Sequence, residues 1–323
     1  MVGCVGFYDT FFCGGFLFNA NELLHEVYML EIKPGKYSDL SNEDYHAHTD
    51  SISRSAIMDF AKSPRTYWAN YLNPAKPEKK STPAMIFGEQ FHKIILENQQ
   101  FYEEFVREFI PYTLPKVGLL KDIGREEYDI QKSNRDHFEK MTVEQMEFWK
   151  SVNANKKIVL TADWEKLDNM MKSLRSNIEA WDLLTDGKNE SSYFWEDSDT
   201  GFLLKARPDI LHGSMVVDLK TARDASPRGF QNAMCAGGYH IQAAMILDAV
   251  RAVDNREIVT FINVCIEKEY PYSVGVYIID PSAINAGREK YKHILKEMKK
   301  ARETNSYLDY ETQIVGLPNW YGE

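Results

Sequence analysis

An α/β fold, a central mixed sheet flanked by helices, is the class this sequence predicts. Three observations carry that reading. Long segments with helical periodicity occupy much of the first half of the chain. Short apolar runs bounded by turn residues crowd into 191–219. Helical and strand patterns then alternate toward the end, which suits helices packed on the faces of one sheet. At 323 residues and 44% hydrophobic content, the chain can bury a sizeable core in one such domain.

The elements follow in order. Residues 1–28 are apolar and glycine-rich with no lysine or arginine before Lys33, a poor fit to a secretory signal. They read as an N-terminal extension outside the fold, from an early start codon, or alternatively as an ordered cap or oligomer contact. Residues 29–323 read as a single domain. Ser53 suits the N-cap of a helix running to Lys62, and Ser63-Pro64 restarts another with proline at its first position. Residues 73–83 form a Pro/Lys-rich loop. A helix is predicted over 84–97 with Met85, Phe91, Ile94 and Ile95 inward, another from Lys132 to Val152, and a third from Ala162 to Leu184 capped by Thr161. Strands are predicted at 191–196, 202–208 and 214–219. A short helix opens at Ser226-Pro227, Gly237-Gly238 breaks it, and Tyr239–Ala252 is helical. Glu257–Glu267 and Tyr272–Ile279 read as paired strands around a turn at 268–271, and Pro281 starts the last helix.

Composition narrows the function little. The net charge of −10 argues against a protein that coats DNA generally, not against one with local DNA contacts. Cysteines 4, 13, 235 and 265 show no paired spacing and read as free thiols in a reducing cytoplasm. No apolar run reaches membrane-spanning length. Basic residues cluster in 54–80, including Arg54 and Arg65 among Tyr67, Trp68 and Tyr71, and again along the last helix. Either set could meet phosphates, and either could be a solvated helix face.

The chemistry concentrates at Arg207-Pro208-Asp209 and, nine residues after Asp209, at Asp218-Leu219-Lys220. Both lie among apolar runs read as strands. Asp218 and Lys220 are two apart, so they leave the same face while Leu219 points into the core. Two carboxylates and an ammonium are what metal-assisted phosphodiester cleavage needs. The carboxylates are hard ligands for Mg²⁺ or Mn²⁺, the metal acidifies a water, and the lysine stabilises developing charge. The alternative is an ordinary hairpin with a surface ion pair. Charges flanked by apolar runs are expensive to keep without a role. By alternation Arg207 shares the face of Asp209, where it could bind DNA or pair with a carboxylate.

Pro208-Asp209 with Asp218-x-Lys220 resembles the signature of the PD-(D/E)xK nuclease superfamily, whose core is restriction-endonuclease-like. The chain more specifically resembles the RecE (exonuclease VIII) type of phage and prophage exonuclease. Ser53–Tyr67 is similar to that family's Ser-Pro-x-x-Tyr helices, and Gly88-Glu-Gln-Phe-His92 with Leu96-Glu97 to its Gly-x-x-x-His…Leu-Glu helix. Tyr239-His-Ile-Gln242 resembles its Tyr-His-x-Gln helix, and Gly316-Leu-Pro-Asn-Trp320 its C-terminal ending. Where relatives often carry a second tyrosine four residues after the glutamine, this chain has Ile246.

The resemblance implies roles residue by residue. His92, Asp209 and Asp218, with the Leu219 carbonyl, would bind one or two Mg²⁺, with Mn²⁺ as a substitute. Lys220 would orient the attacking water, and Gln242 would hold a phosphate or position Lys220. Tyr239 would contact DNA, and, from local charge rather than the resemblance, Arg54, Arg65 and Arg207 are further candidates for phosphate contact. Glu97 lies about 140° around the helix from His92, so it takes a supporting role. The implied activity is 5′-to-3′ exonucleolytic digestion of duplex DNA leaving 5′-phosphates, in phage-type recombination. The implied partners are double-stranded DNA ends, a homo-oligomeric ring and a RecT-like single-strand annealing protein. An iron–sulfur nuclease would need four clustered cysteines, which the chain lacks. An endonuclease on the same site and an inactive DNA-binding or assembly subunit stay open as alternatives.

Overall fold

Proline at 208 decides how the strands are laid out. It has no N–H for a ladder, so the run predicted as one strand over 202–208 stops at Ala206 and a new strand starts at Ile210. The computed structural model describes residues 10–13, 16–19, 32–77, 81–109, 142–185, 187–189, 191–310 and 312–317.

Strands β1 (Thr10–Cys13) and β2 (Phe16–Asn19) pair antiparallel, within the segment read as an extension. β3 (Gly35–Tyr37) and helices α1 (Asn42–Ala47), α2 (Arg54–Lys62) and α3 (Pro64–Tyr67) follow, and a π turn at Trp68–Leu72 continues α3. Ser53 and Ser63 cap α2 and α3 as predicted, accepting from the backbone N–H of Ala56 and Thr66. Helix α4 (Pro83–Leu96) buries Phe91, Ile94 and Ile95, but Met85 is 50% exposed rather than inward. Helix α5 (Asn98–Glu104) and the parallel pair β4 (Phe105–Arg107) and β5 (Lys157–Val159) come next. Of the helix predicted from Lys132, residues 142–152 are helical (α6), and the rest lies outside the described residues. So do residues 78–80 of the basic segment and residues 318–320 of the predicted ending.

The helix predicted over 162–184 is two helices, α7 (Thr161–Ser176) and α8 (Ile178–Thr185). Asn177 breaks the run: its side-chain oxygen accepts the N–H of Ala180, as an N-cap does. Thr161 is not a cap either. Leu160 holds that position, and the Thr161 hydroxyl is buried with no partner among the described residues.

β6 (Lys188–Asn189), β7 (Ser192–Glu196), β8 (Leu203–Ala206), β9 (Ile210–His212) and β10 (Met215–Ala222) lead to α9 (Pro227–Gly237) and α10 (Tyr239–Asp254). Then come β11 (Thr260–Glu267), β12 (Val274–Ile278) and α11 (Pro281–Thr304). The main sheet is mixed, in the order β12-β11-β10-β9-β6, with only the central β10–β11 pair parallel. β8 joins β3 and β7 in a separate antiparallel sheet. The antiparallel neighbour of β10 is therefore β9, not the strand predicted at 202–208.

Two apolar cores cover the faces of the main sheet. Val216 and Phe261 pack with α2, α10 and α11, whereas Val217, Leu219 and Val264 pack with α4, α7 and α8. Period-two alternation therefore puts Asp218 and Lys220 on the α10 side. On α11, Arg288, Lys292 and Lys296 pair with Asp248, Asp197 and Asp199, so much of its basic character is structural. No helix among the described residues is long and apolar enough to cross a membrane.

Candidate active site

Asp209 stands where β9 and β10 part. Their last paired residues are Ile210 and Val217. Past that point the Leu219 N–H has no strand partner from β9, and Asp209 Oδ2 accepts it at 2.8 Å. His92 Nδ1 lies 3.6 Å from the same oxygen, with 31% of its side chain exposed against 16% for Asp209. The buried Phe87, Phe91, Ile94 and Ile95 fix α4 against the sheet and hold His92 there.

Asp218 sits deeper, at 0% exposure. Its Oδ1 accepts from Gln242 Nε2 at 2.8 Å and its Oδ2 from Asn263 Nδ2 at 2.7 Å. Lys220 Nζ is 2.5 Å from Oδ2 and 5.3 Å from the centre of the Tyr239 ring. Gly238 makes that arrangement reachable. It takes the left-handed conformation (φ 65°), ends α9 by donating to the Met234 carbonyl, and lets α10 begin at Tyr239. Arg54 caps the same break, donating to the Gly237 carbonyl at 2.5 Å.

Burial raises the Asp218 carboxyl above its ordinary value, the Lys220 ammonium opposes it, and the Asp209 charge adds to it. All three side chains that touch Asp218 are donors, an environment that matches the ionised form. Burial alone would lower Lys220. The charges of Asp218 and Asp209 outweigh it and hold the lysine above its usual range. Lys220 is therefore an ammonium: three donors and no acceptor.

The predicted site residues separate into two groups. His92, Asp209, Asp218, Lys220, Gln242 and Tyr239 converge, with Leu219 bonded to Asp209 and Arg54 close enough for its charge to oppose that of Lys220. Arg207 does not join them. Its guanidinium binds the Ser192 hydroxyl and the Leu40 and Ser41 carbonyls and lies 4.5 Å over the Tyr45 ring. Alternation does not carry past the end of β8 at Ala206. Arg65 stacks on Trp68 at 4.6 Å. Glu97 lies at the α4–α5 junction, and its side chain has no hydrogen bond or ion pair among the described residues. Asn263 went unnoticed in the sequence. Its only signal is one amide inside the apolar run Phe261–Ile266.

The donor chemistry suits a divalent cation such as Mg²⁺ or Mn²⁺: the Asp209 carboxylate with the His92 imidazole beside it. The predicted three-side-chain centre is nevertheless only partly assembled. Among the described residues, no three of His, Cys, Asp and Glu are grouped to hold a metal. Asp218 holds three donors, one on Oδ1 and two on Oδ2, which leaves Oδ1 the less occupied oxygen toward a cation.

Gly88 lies one turn before His92 on the same side of α4. A Cβ there would meet no described atom within 4 Å, so the fold gains nothing visible from the glycine. Gly88→Ala is expected to stabilise the protein by about 0.5–1 kcal/mol, the usual helix-interior difference, as read from urea denaturation. A loss of stability would show that the fold needs the glycine.

A family model, the PDDEXK-like domain of unknown function (DUF3799), matches residues 53–311. No curated protein matches. Among solved structures, a candidate exonuclease from Eubacterium rectale is 15% identical with a TM-score of 0.54, covering 84% of this chain and 88% of its own. That likeness concerns the fold alone. A second, SSO0001, reaches a TM-score of 0.24 at 18% identity over 38% of this chain and 57% of its own, too low to argue from. The family match spans every residue of the convergent site, from Arg54 to Asn263, and the chain belongs to the PDDEXK-like domain family DUF3799.

Proposed function

We propose that this protein is a metal-dependent deoxyribonuclease acting as a 5′-to-3′ exonuclease on duplex DNA ends. One observation carries the reading most: Lys220, held protonated against the buried Asp218, on the strand whose Leu219 N–H is bonded to Asp209.

In this reading Asp209, His92 and the Leu219 carbonyl would hold a divalent cation, which neutralises phosphate charge and acidifies the attacking water. The remaining work belongs to the chain. Lys220 donates to a phosphate oxygen as negative charge accumulates there. Asp218 fixes where that ammonium points, and Gln242 fixes Asp218. Arg54 adds local positive charge to a chain whose net charge is −10. Water forms the new bond to phosphorus and the 3′-oxygen leaves, so the product carries a 5′-phosphate. The resemblance to RecE-type enzymes adds a ring-shaped oligomer and an annealing partner to the proposal. The Eubacterium rectale protein's description as a candidate exonuclease is in keeping with the reading.

The test is digestion of linear duplex DNA with Mg²⁺ or Mn²⁺, labelled separately at each end, beside a covalently closed circle. Early release of the 5′ label with an intact circle is the expected result. A cut circle would assign an endonuclease to the same residues. No cleavage with either metal would favour an inactive DNA-binding subunit.

A further inference from the structure

Parallel register places Asn263 on β11 directly beside Asp218 on β10. Every other residue from Phe261 to Ile266 is apolar and buried, and Asn263 itself is 0% exposed. Its amide nitrogen donates to Asp218 Oδ2, and its carbonyl oxygen is buried with no partner among the described residues. Gln242 repeats the pattern from the other side: its nitrogen bonds Asp218 Oδ1, and its oxygen is likewise unpartnered. A buried, unsatisfied acceptor is destabilising, and an aliphatic residue would suit this central strand better. What distinguishes Asn263 from such a residue is its amide nitrogen, bonded to Asp218.

We infer that Asn263 is a positioning residue of the cleavage reaction: with Gln242 it grips the two oxygens of Asp218 and so fixes the direction in which Asp218 holds Lys220. This rests on the nuclease reading for its kinetic consequence, but the grip itself does not. Three donors converge on one carboxylate, from β10, β11 and α10. Without the β11 donor, Oδ2 keeps only Lys220, and the carboxylate and ammonium can swing together.

Asn263→Leu replaces the amide with an apolar group of nearly the same shape. On duplex DNA at saturating metal, kcat is expected to fall about 10- to 100-fold, the scale of one lost hydrogen bond to a charged group. KM should stay within about threefold, because no contact with substrate is removed. A second measurement separates positioning from mere packing and needs no activity: a double-mutant cycle on urea stability. Asn263→Leu should destabilise the wild-type protein, yet be neutral or stabilising in an Asp218→Ala/Lys220→Met background, where its partner is gone. Asn263→Ala replaces it in both assays should the leucine variant not fold. An unchanged kcat, or an equal stability loss in both backgrounds, would overturn the inference. Should the wild-type protein cleave nothing while the cycle still shows coupling, the nuclease reading fails and the grip on Asp218 stands.

Discussion

Asp218→Ala is expected to abolish cleavage and to weaken the fold at the same time. Loss of the carboxylate removes the group bonded to Lys220 and, in the proposed reading, a carboxylate that would join Asp209 and His92 around a cation. Metal and positioning effects of several kcal/mol correspond to about a thousandfold or more in rate. The structural effect follows from burial. Asp218 is fully enclosed, and its removal leaves the Lys220 ammonium and the amide N–H groups of Gln242 and Asn263 without their acceptor. Breaking one side of a buried pair typically removes about 3–5 kcal/mol, a large share of a domain's usual 5–15 kcal/mol. The double variant Asp218→Ala/Lys220→Met removes the orphaned charge, so it should recover much of the stability and remain inactive. Urea denaturation and end-labelled DNA digestion measure the two effects separately. Wild-type cleavage by the single variant would sink the site assignment. A double variant no more stable than the single one would show that the ion pair is not the source of the loss.

From the sequence alone, that substitution reads as harmless to the fold, because two nearby carboxylates should repel and losing one should relieve them. What sequence reasoning lacked was the set of donors. Asp218 and Lys220 were legible because they sit two apart on a strand, and strand alternation is local. Asp209 and His92 were legible through motif resemblance, and their 3.6 Å approach fits it. Asn263 was not legible, because its meaning depends on the parallel register of β10 and β11, which no local pattern carries. A lone amide in an apolar run looks like a blemish until its neighbour is known. For Arg207 a local rule was carried too far. Period-two alternation ends with β8 at Ala206, before Pro208, and the guanidinium binds Ser192, Leu40 and Ser41 instead. The break at Asn177 was hidden in the same way, since apolar periodicity runs across it while one side-chain cap restarts the helix. Element types came from residues close together in sequence. The pairing of elements, and so the second layer of the site, did not.

Lys220→Met should preserve the fold better than Asp218→Ala and still cost turnover about 10²–10³-fold, the range for removing one preorganised donor from a developing anion. The asymmetry comes from what each change leaves behind. Without Lys220, the Asp218 carboxylate keeps both amide donors and can also take up a proton, whereas without Asp218 the ammonium loses its nearest carboxylate and keeps only the more distant Asp209 charge. That difference gives the variant a pH signature in metal-free buffer. Burial already raises the Asp218 carboxyl, and the ammonium is the largest influence opposing it. In the variant the folded-state value therefore moves further above the unfolded one. Between those two values the folded protein binds a proton that the unfolded chain has released, so stability falls as pH rises. Lys220→Met should therefore be closest to wild type in mildly acidic buffer and fall behind as pH rises through the folded-state value. Urea midpoints of both proteins at several pH values, with a chelator present, decide it. A stability gap independent of pH would mean that Lys220 does not control the ionisation of Asp218. An unchanged turnover would remove the lysine from the chemistry and leave the pair as a structural device.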